Sequence, residues 1–332
     1  MHVPVNSPQG RDVLRRMLAT TSLSFPSPLL PKAFPMPELE SSKSFHSPCI
    51  IFSVPNDALV SSVTTITNCV CQERSFICYS NTVFICFDIL LQRIININNL
   101  IGSIKHLTKF TNNYSFVNSY NNLFLINNFI IEKTNLIFTN YFFHFHFENN
   151  LFVCNCEFLY IYNNFPKFSS VFKIKLFKSF VTTDWCSINQ NLIVLLSRSG
   201  VILFVDIQSN LIVNHITIDP LCGRSIIFKF PFLIISGVGS ILTIINTVNN
   251  LILFKTNNLF NQEVVTKIFN YKNHLIISPI YDLSMTSTGQ NSLIFKEIPA
   301  NNEIPFEINS CVIGVGQNYH VTNQNGKIFL KI

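Results

Sequence analysis

Two short patterns in this chain bring together residue types that can do chemistry. His144-Phe-His146 is followed by Cys154-Asn-Cys156, two imidazoles and two thiols of the kind that hold zinc in tetrahedral sites. Spacing at i and i+2 puts each pair on one side of a strand, whereas zinc sites more often use spacers of two to four residues. Whether the pairs meet depends on the hairpin between them. A two-residue Asn149-Asn150 loop pairs Glu148 with Leu151 and sends the His and Cys pairs to opposite faces. A three-residue loop of Glu148, Asn149 and Asn150 pairs Phe147 with Leu151 and brings His144 opposite Cys154. The spacing favours the plainer account, His on the wetted side and Cys in the packing, so no metal and no cofactor is expected.

The second pattern is Asp184-Trp185, with Arg224 further on. Trp185 is the only Trp in the chain; it could anchor a partner, but within a strand it reads as core. Arg224 follows Gly223 in a loop and so faces a rim or solvent. Other reactive arrangements are missing from the sequence. Gly237-Val-Gly239 lacks the later glycine and the helix of a phosphate loop, no Gly-x-Ser-x-Gly elbow occurs, and acids are too sparse to pair. No catalytic residue is assigned, no enzymatic activity is expected, and no small-molecule partner is expected.

The elements that position these residues are short strands. At 332 residues with 48% apolar side chains the chain has ample material for a core, and it carries 33 Phe but only 10 Gly. The net charge of +6 is modest for the length and the Lys and Arg are scattered, the densest group being Lys167, Lys173, Lys175 and Lys178. Lys173 and Lys175 alternate with Phe172, Ile174 and Leu176, which is the wet face of a strand, and no nucleic-acid partner is expected. Of ten Cys, Cys69, Cys71, Cys78, Cys86, Cys154 and Cys156 lie in apolar runs, where a free thiol packs as a small hydrophobe. With a single glycosylation sequon, Asn113-Tyr-Ser115, this usage points to an intracellular compartment, cytoplasmic or nuclear.

Two regions separate along the chain. Residues 1–47 contain Ser24-Phe-Pro-Ser-Pro28 and Pro35-Met-Pro37 without sustained alternation and read as a disordered leader, with a targeting or partner-binding segment as the alternatives. Residues 48–332 are apolar runs divided by Asn, Ser and Lys turns. The plainest set is Val181–Ser187, Leu192–Leu196, Val201–Ile207 and Leu211–Ile218, four strands joined by tight turns. Similar sets begin at Val63, Tyr114, Phe142, Ser225 and Val264; in the second, Lys133-Thr-Asn135 is read as a turn, and in the sixth a poorly defined strand covers Tyr281–Met285. The C-terminus supplies only three strands, Ser310–Val315, Tyr319–Asn323 and Lys327–Ile332, while Cys49–Val54 is a spare strand at the other end. Pairing the spare strand with the last set closes a ring and removes both edges.

Within this pattern Thr82-Val-Phe-Ile-Cys-Phe-Asp-Ile89 matches Gly200-Val-Ile-Leu-Phe-Val-Asp-Ile207 in type, with Asp88 and Asp206 118 positions apart, about three repeats of ~40 residues. These stretches, with Val181-x-x-Asp184-Trp-x-Ser187 and Leu192-Ile-Val-Leu-Leu-Ser197, resemble WD40 repeats. The Trp of the family's Trp-Asp pair is replaced by Val205 and Phe87, no Gly-His pair occurs, and the Asp expected before Gly200 is Ser199. The strand count and spacing predict an all-β, seven-bladed β-propeller, and the resemblance implies a platform for protein complexes. The expected function is a non-enzymatic protein–protein interaction scaffold, its partners other proteins. The competing reading is a membrane-associated protein, because Phe230–Val248 is 19 uncharged, mostly apolar positions. Pro231, Gly237 and Gly239 argue instead for a buried hairpin, so no membrane partner is expected.

Overall fold

The computed structural model describes residues 49–52, 68–73, 75–79, 84–91, 93–96, 104–109, 114–119, 122–127, 130–137, 143–163, 168, 170–219, 223–238, 241–256, 265–271, 274–280, 292–295, 306–308, 311–324 and 327–331. The leader at 1–47 and the proposed strand Tyr281–Met285 lie outside these residues.

β-Branched and aromatic residues fill the runs and Asn, Ser and Gly interrupt them, so the chain folds as short strands. Among the described residues they form seven four-stranded antiparallel sheets. The first holds Asn68–Cys71, Ser75–Tyr79, Phe84–Asp88 and Arg93–Asn96, and the second Ile104–Lys109, Tyr114–Ser119, Asn122–Asn127 and Ile130–Ile137. The third holds Phe143–Phe147, Asn150–Cys154, Phe158–Asn163 and Ser170–Lys175. The fourth is Thr182–Ser187, Leu192–Ser197, Val201–Asp206 and Leu211–Thr217, and the fifth Ser225–Lys229, Phe232–Ser236, Leu242–Asn246 and Leu251–Thr256. The sixth is Val265–Tyr271, His274–Ile280, Ser292–Phe295 and Phe306–Ile308. In the last, Cys311–Val315, His320–Gln324 and Lys327–Lys331 are joined by Cys49–Phe52, with Cys49 opposite Lys331 and Ile51 opposite Phe329.

Neighbouring sheets meet mainly through their first strands, and the last sheet returns to the first through Cys311–Val315 and Asn68–Cys71. The result is an all-β propeller with core layers between sheets. This placement explains why middle strands read as continuous apolar runs rather than alternating ones. All six residues of Leu192–Ser197 are buried: Ile193 and Leu195 pack toward the third sheet, Leu192, Val194 and Leu196 toward the fifth. Each fully buried Leu or Ile contributes about 2 kcal/mol.

Phe230–Val248 is built the same way. Phe232–Ser236 and Leu242–Asn246 pair as middle strands, Leu233 and Ile235 facing the fourth sheet and Ile234 the sixth. Apart from Phe230 and Val248 at its two ends, which are exposed, its described apolar residues pack inside the ring. Among the described residues no helix is long and apolar enough to cross a membrane.

Two strand assignments are corrected. The second sheet begins with Ile104–Lys109, and Lys133-Thr-Asn135 is no turn but part of one strand, Ile130–Ile137. The register shifts between Asn122 and Phe124, and the Thr134 hydroxyl donates to the Leu123 carbonyl at 2.8 Å, so a polar triplet marks a bulge here. In the sixth sheet the fourth strand is Phe306–Ile308, and Ser292–Phe295 is the third.

Candidate functional site

The hairpin that carries the histidine and cysteine pairs turns over Glu148 and Asn149, with Phe147 opposite Asn150 and Glu148 at a φ of 53°. His144 therefore lies opposite Val153 and His146 opposite Leu151, while Cys154 lies opposite Phe143. The two imidazoles share one face and Cys154 belongs to the other. Cys154 packs with Phe143, Phe145 and Phe152, and burial pushes its thiol up to about 12. Cys156 is half-buried beyond the end of its strand. Fully buried His144 meets His106 edge-on at 5.0 Å, and burial lowers His146 to about 4. Among the described residues no three His, Cys, Asp or Glu side chains are placed to hold a metal ion.

Asp184 has a defined task. The register of Thr182–Ser187 shifts between Thr182 and Asp184, and this irregularity accompanies a carboxylate aimed at the next sheet. Its Oδ2 accepts the Ile226 N–H at 2.9 Å and the Ser225 hydroxyl at 3.0 Å, and its Oδ1 accepts the Trp185 N–H at 2.9 Å. Burial raises its carboxyl, opposed by the Ile226 N–H and the charge of Lys267. Burial in turn lowers Lys267, opposed by Asp184. Ser225 extends the link, its Oγ accepting the Ile268 N–H of the sixth sheet at 3.3 Å.

Comparable bonds continue around the ring. The Ser236 hydroxyl donates to the Thr266 carbonyl at 2.9 Å, and the Thr266 hydroxyl donates to the Gly237 carbonyl at 3.2 Å. The Cys311 thiol donates to the Pro279 carbonyl at 3.0 Å and lies 3.4 Å from Ser278 Oγ. The Tyr319 hydroxyl bridges the Gln72 and Ser75 carbonyls at 2.5 and 3.0 Å, tying the last sheet to the first. Cys69 and Cys71 place their sulfurs 3.8 Å apart, and burial raises both thiols well above their ordinary range. Burial also drives His106 well below its ordinary value. A raised thiol is a poor nucleophile, and the Asp184 carboxylate oxygens are already taken up by three donors. Asp184, Ser225, Ser236, Thr266, Cys311 and Tyr319 join sheets.

Trp185 is half-buried and stacks on Phe145 at 4.3 Å, with Phe147 edge-on at 5.8 Å, so it fills the seam between the third and fourth sheets. Arg224 is half-buried in the turn before the fifth sheet, where its N–H donates to the Ser236 carbonyl at 3.1 Å. The aspartates that set the repeat end the third strands of their sheets. Asp88 accepts the Leu91 N–H at 2.9 Å, and Asp206 accepts the Gln208 N–H and the Ser209 hydroxyl. Asn246 does the same for Val248, a third instance of this turn. Sequence reasoning missed the linking serines. For Ser236 and Ser278 the signal is a repeated ending, aliphatic residues followed by Ser, in Phe232–Ser236 and Leu275-Ile-Ile-Ser278; Leu192–Ser197 ends alike, but its Ser197 bonds Ser199 and Val201 within its own turn.

No family model and no curated protein matches the chain. Solved structures share its fold. Raptor from Chaetomium thermophilum superposes with a TM-score of 0.61 at 12% identity, over 80% of this chain and 28% of that one. A chain of the mitotic checkpoint complex superposes with a TM-score of 0.60 at 7% identity, over 93% of this chain and 99% of that one. PorZ, a surface component of the type-IX secretion system of Porphyromonas gingivalis, gives 0.55 at 7% identity, over 81% of this chain and 38% of that one. This chain thus spans less than half the length of Raptor and of PorZ. The likeness is one of fold, an all-β propeller.

Proposed function

We propose that the chain is a non-enzymatic protein-interaction scaffold, a seven-bladed ring over residues 48–332 whose last blade is completed by Cys49–Phe52. Residues 1–47 are a leader outside the ring, and the compartment is intracellular. The seven described sheets and the Cys49–Phe52 pairing support the blade count, and the two propeller neighbours support the class.

One observation carries the scaffold reading: the contrast between outer strands. Outer strands are sheet edges, and proteins blunt them with charge. The second sheet exposes Glu132 and Lys133 there beside Ile130, the third Lys173 and Lys175 beside Phe172, and the fourth a single large apolar residue, Leu211. The fifth differs in exposing three apolar residues in a row, Leu251, Ile252 and Leu253 at 58, 51 and 54%, beside Phe230 and Val248, with Lys255 at its far end. An apolar edge with free ladder positions suits the addition of an extended segment from a protein partner. The test is affinity purification of the wild-type chain beside an Ile252→Lys, Leu253→Glu variant. A discrete set of proteins lost from the variant supports the reading. An identical set on both, or substrate turnover by the purified chain, contradicts it.

A further inference from the structure

The Lys and Arg of this chain are scattered, but its net positive charge falls mostly in one region because acids are few there. Residues 151–256 hold eight Lys and Arg against four Asp and Glu, four of the six net charges in about a third of the sequence. The four acids are mostly spent. Asp206 is buried in its turn, Asp184 is held by three donors, and Asp219 pairs with Lys255 at 3.0 Å. Glu157 is the exposed acid that remains, and it lies within this region in the turn beside Lys175, its carbonyl accepting the Leu176 N–H at 2.7 Å.

The cations gather on one side of the ring, the side carrying the turns between second and third strands and the connections between sheets. Lys175 is exposed at the end of its strand, Lys178 in the connection from the third sheet to the fourth, and Arg198 in the turn after Leu192–Ser197. Arg224 follows in the connection to the fifth sheet.

Backbone contacts hold these segments together. The Arg198 N–H donates to the Val181 carbonyl at 2.8 Å, and the Phe180 N–H donates to the Cys156 carbonyl at 3.2 Å. Gly223 lies so close that a Cβ there would stand 2.2 Å from the Ser197 carbonyl oxygen and 2.8 Å from that of Arg198. Phe177, 41% exposed, meets the exposed ring of His215 edge-on at 5.3 Å beside this arc.

We infer that the arc Lys175, Lys178, Arg198 and Arg224 is a docking surface for an acidic extended peptide of a protein partner. Charge complementarity selects the occupant: four cations in adjoining turns held together through their backbone, against the single exposed acid Glu157, match carboxylates or phosphates spaced along a peptide. A nucleic acid fits less well, because a stripe of phosphate contacts needs more cations, and Phe177 alone offers no stacking platform. The surface is separate from the apolar edge of the fifth sheet and does not rest on it.

Fluorescence anisotropy on the full chain tests this with three labelled twelve-residue peptides, one rich in Glu, one with phosphoserines replacing half the Glu, and one with Gln throughout. A single-stranded oligonucleotide is the fourth probe. Both anionic peptides are expected to bind and the Gln peptide is not, and the tighter of the two identifies carboxylate or phosphate as the source of charge. Binding should weaken about tenfold between 50 and 200 mM salt. Lys178→Glu with Arg198→Glu should cost at least about tenfold, while Lys133→Glu with Lys109→Glu, exposed cations of the second sheet, changes binding less than about twofold. Trp185 emission confirms that each variant remains folded. Absence of binding by either anionic peptide, equal loss in both variants, or preference for the oligonucleotide would overturn the inference.

Discussion

The fourth sheet and the closing sheet have the same four antiparallel strands but are assembled differently. Thr182–Thr217 is continuous, so each strand meets the next across a turn of a few residues, and its polar bonds reach outward from Asp184 to the fifth sheet. The closing sheet joins Cys49–Phe52 to Lys327–Lys331, two ends of the sequence, and is tied to its neighbours by Cys311 and Tyr319. A local sheet needs little loop-closure entropy, whereas the closing sheet forms only when the rest of the ring holds both ends near each other. The closing sheet is therefore expected to be the first to open and the fourth the last.

The largest perturbation is removal of the N-terminal part through Phe52. This bares Lys327–Lys331 as a new edge, and a loss of about 4 kcal/mol in urea unfolding is expected, with concentration-dependent aggregation. Next is Asp184→Ala, which takes the acceptor from Ile226, Ser225 and Trp185 and the counter-charge from Lys267. It should cost about 3–4 kcal/mol. Should the deletion cost less than Asp184→Ala, the closing strand contributes less than the local link, and the order of opening reverses.

Tyr319→Phe is milder, about 1–2 kcal/mol, since it removes one hydroxyl from two carbonyls and keeps the ring packed against Phe76. Hydrogen exchange sharpens the comparison: this variant should speed exchange in the first and last sheets and leave Leu192–Ser197 unchanged.

The smallest effect is that of pH. Burial lowers His146 from 6.5 to about 4, so its contribution to stability is complete above about 6.5 and is lost as the pH falls toward 4. His106 shifts in the same direction. Asp184, being raised, has the opposite sign: its contribution is complete at low pH and is lost as the pH rises through its folded value. His146→Gln should remove about 1–2 kcal/mol of the acid-induced loss, after allowance for the partial exposure of the side chain. A urea midpoint that falls equally between pH 6.5 and 4 in wild type and variant would locate that loss elsewhere.

Much of this architecture was legible because propeller strands announce themselves by apolar runs and turn residues. Phe143–Lys175, Thr182–Thr217 and Ser225–Thr256 lie where the runs predict, and the count of strands at the two ends predicts the Cys49–Phe52 pairing. Failures came where a run and a turn look alike. Lys133-Thr-Asn135 has turn composition, yet Thr134 bonds back to Leu123 and keeps the strand continuous. Phe306–Ile308 is too short to show a period. The register that separates His144 from Cys154 was undecidable because Glu148 takes a φ of 53°, a conformation uncommon for a non-glycine residue, which shifts the loop by one position. Asp184 was legible as unusual but not as a link, since its partners at 225 and 226 lie about 40 positions away.

Ring closure is tested most directly through a native thiol. Cys49 lies opposite Lys331, so Lys331→Cys places a second thiol across the outermost strand pair. After mild oxidation of the folded chain, peptide mapping should find a bond between Cys49 and the introduced thiol, and the bond should not form in urea. A folded chain, judged by Trp185 emission, in which the introduced thiol stays free or joins another cysteine would contradict closure by the N-terminal strand.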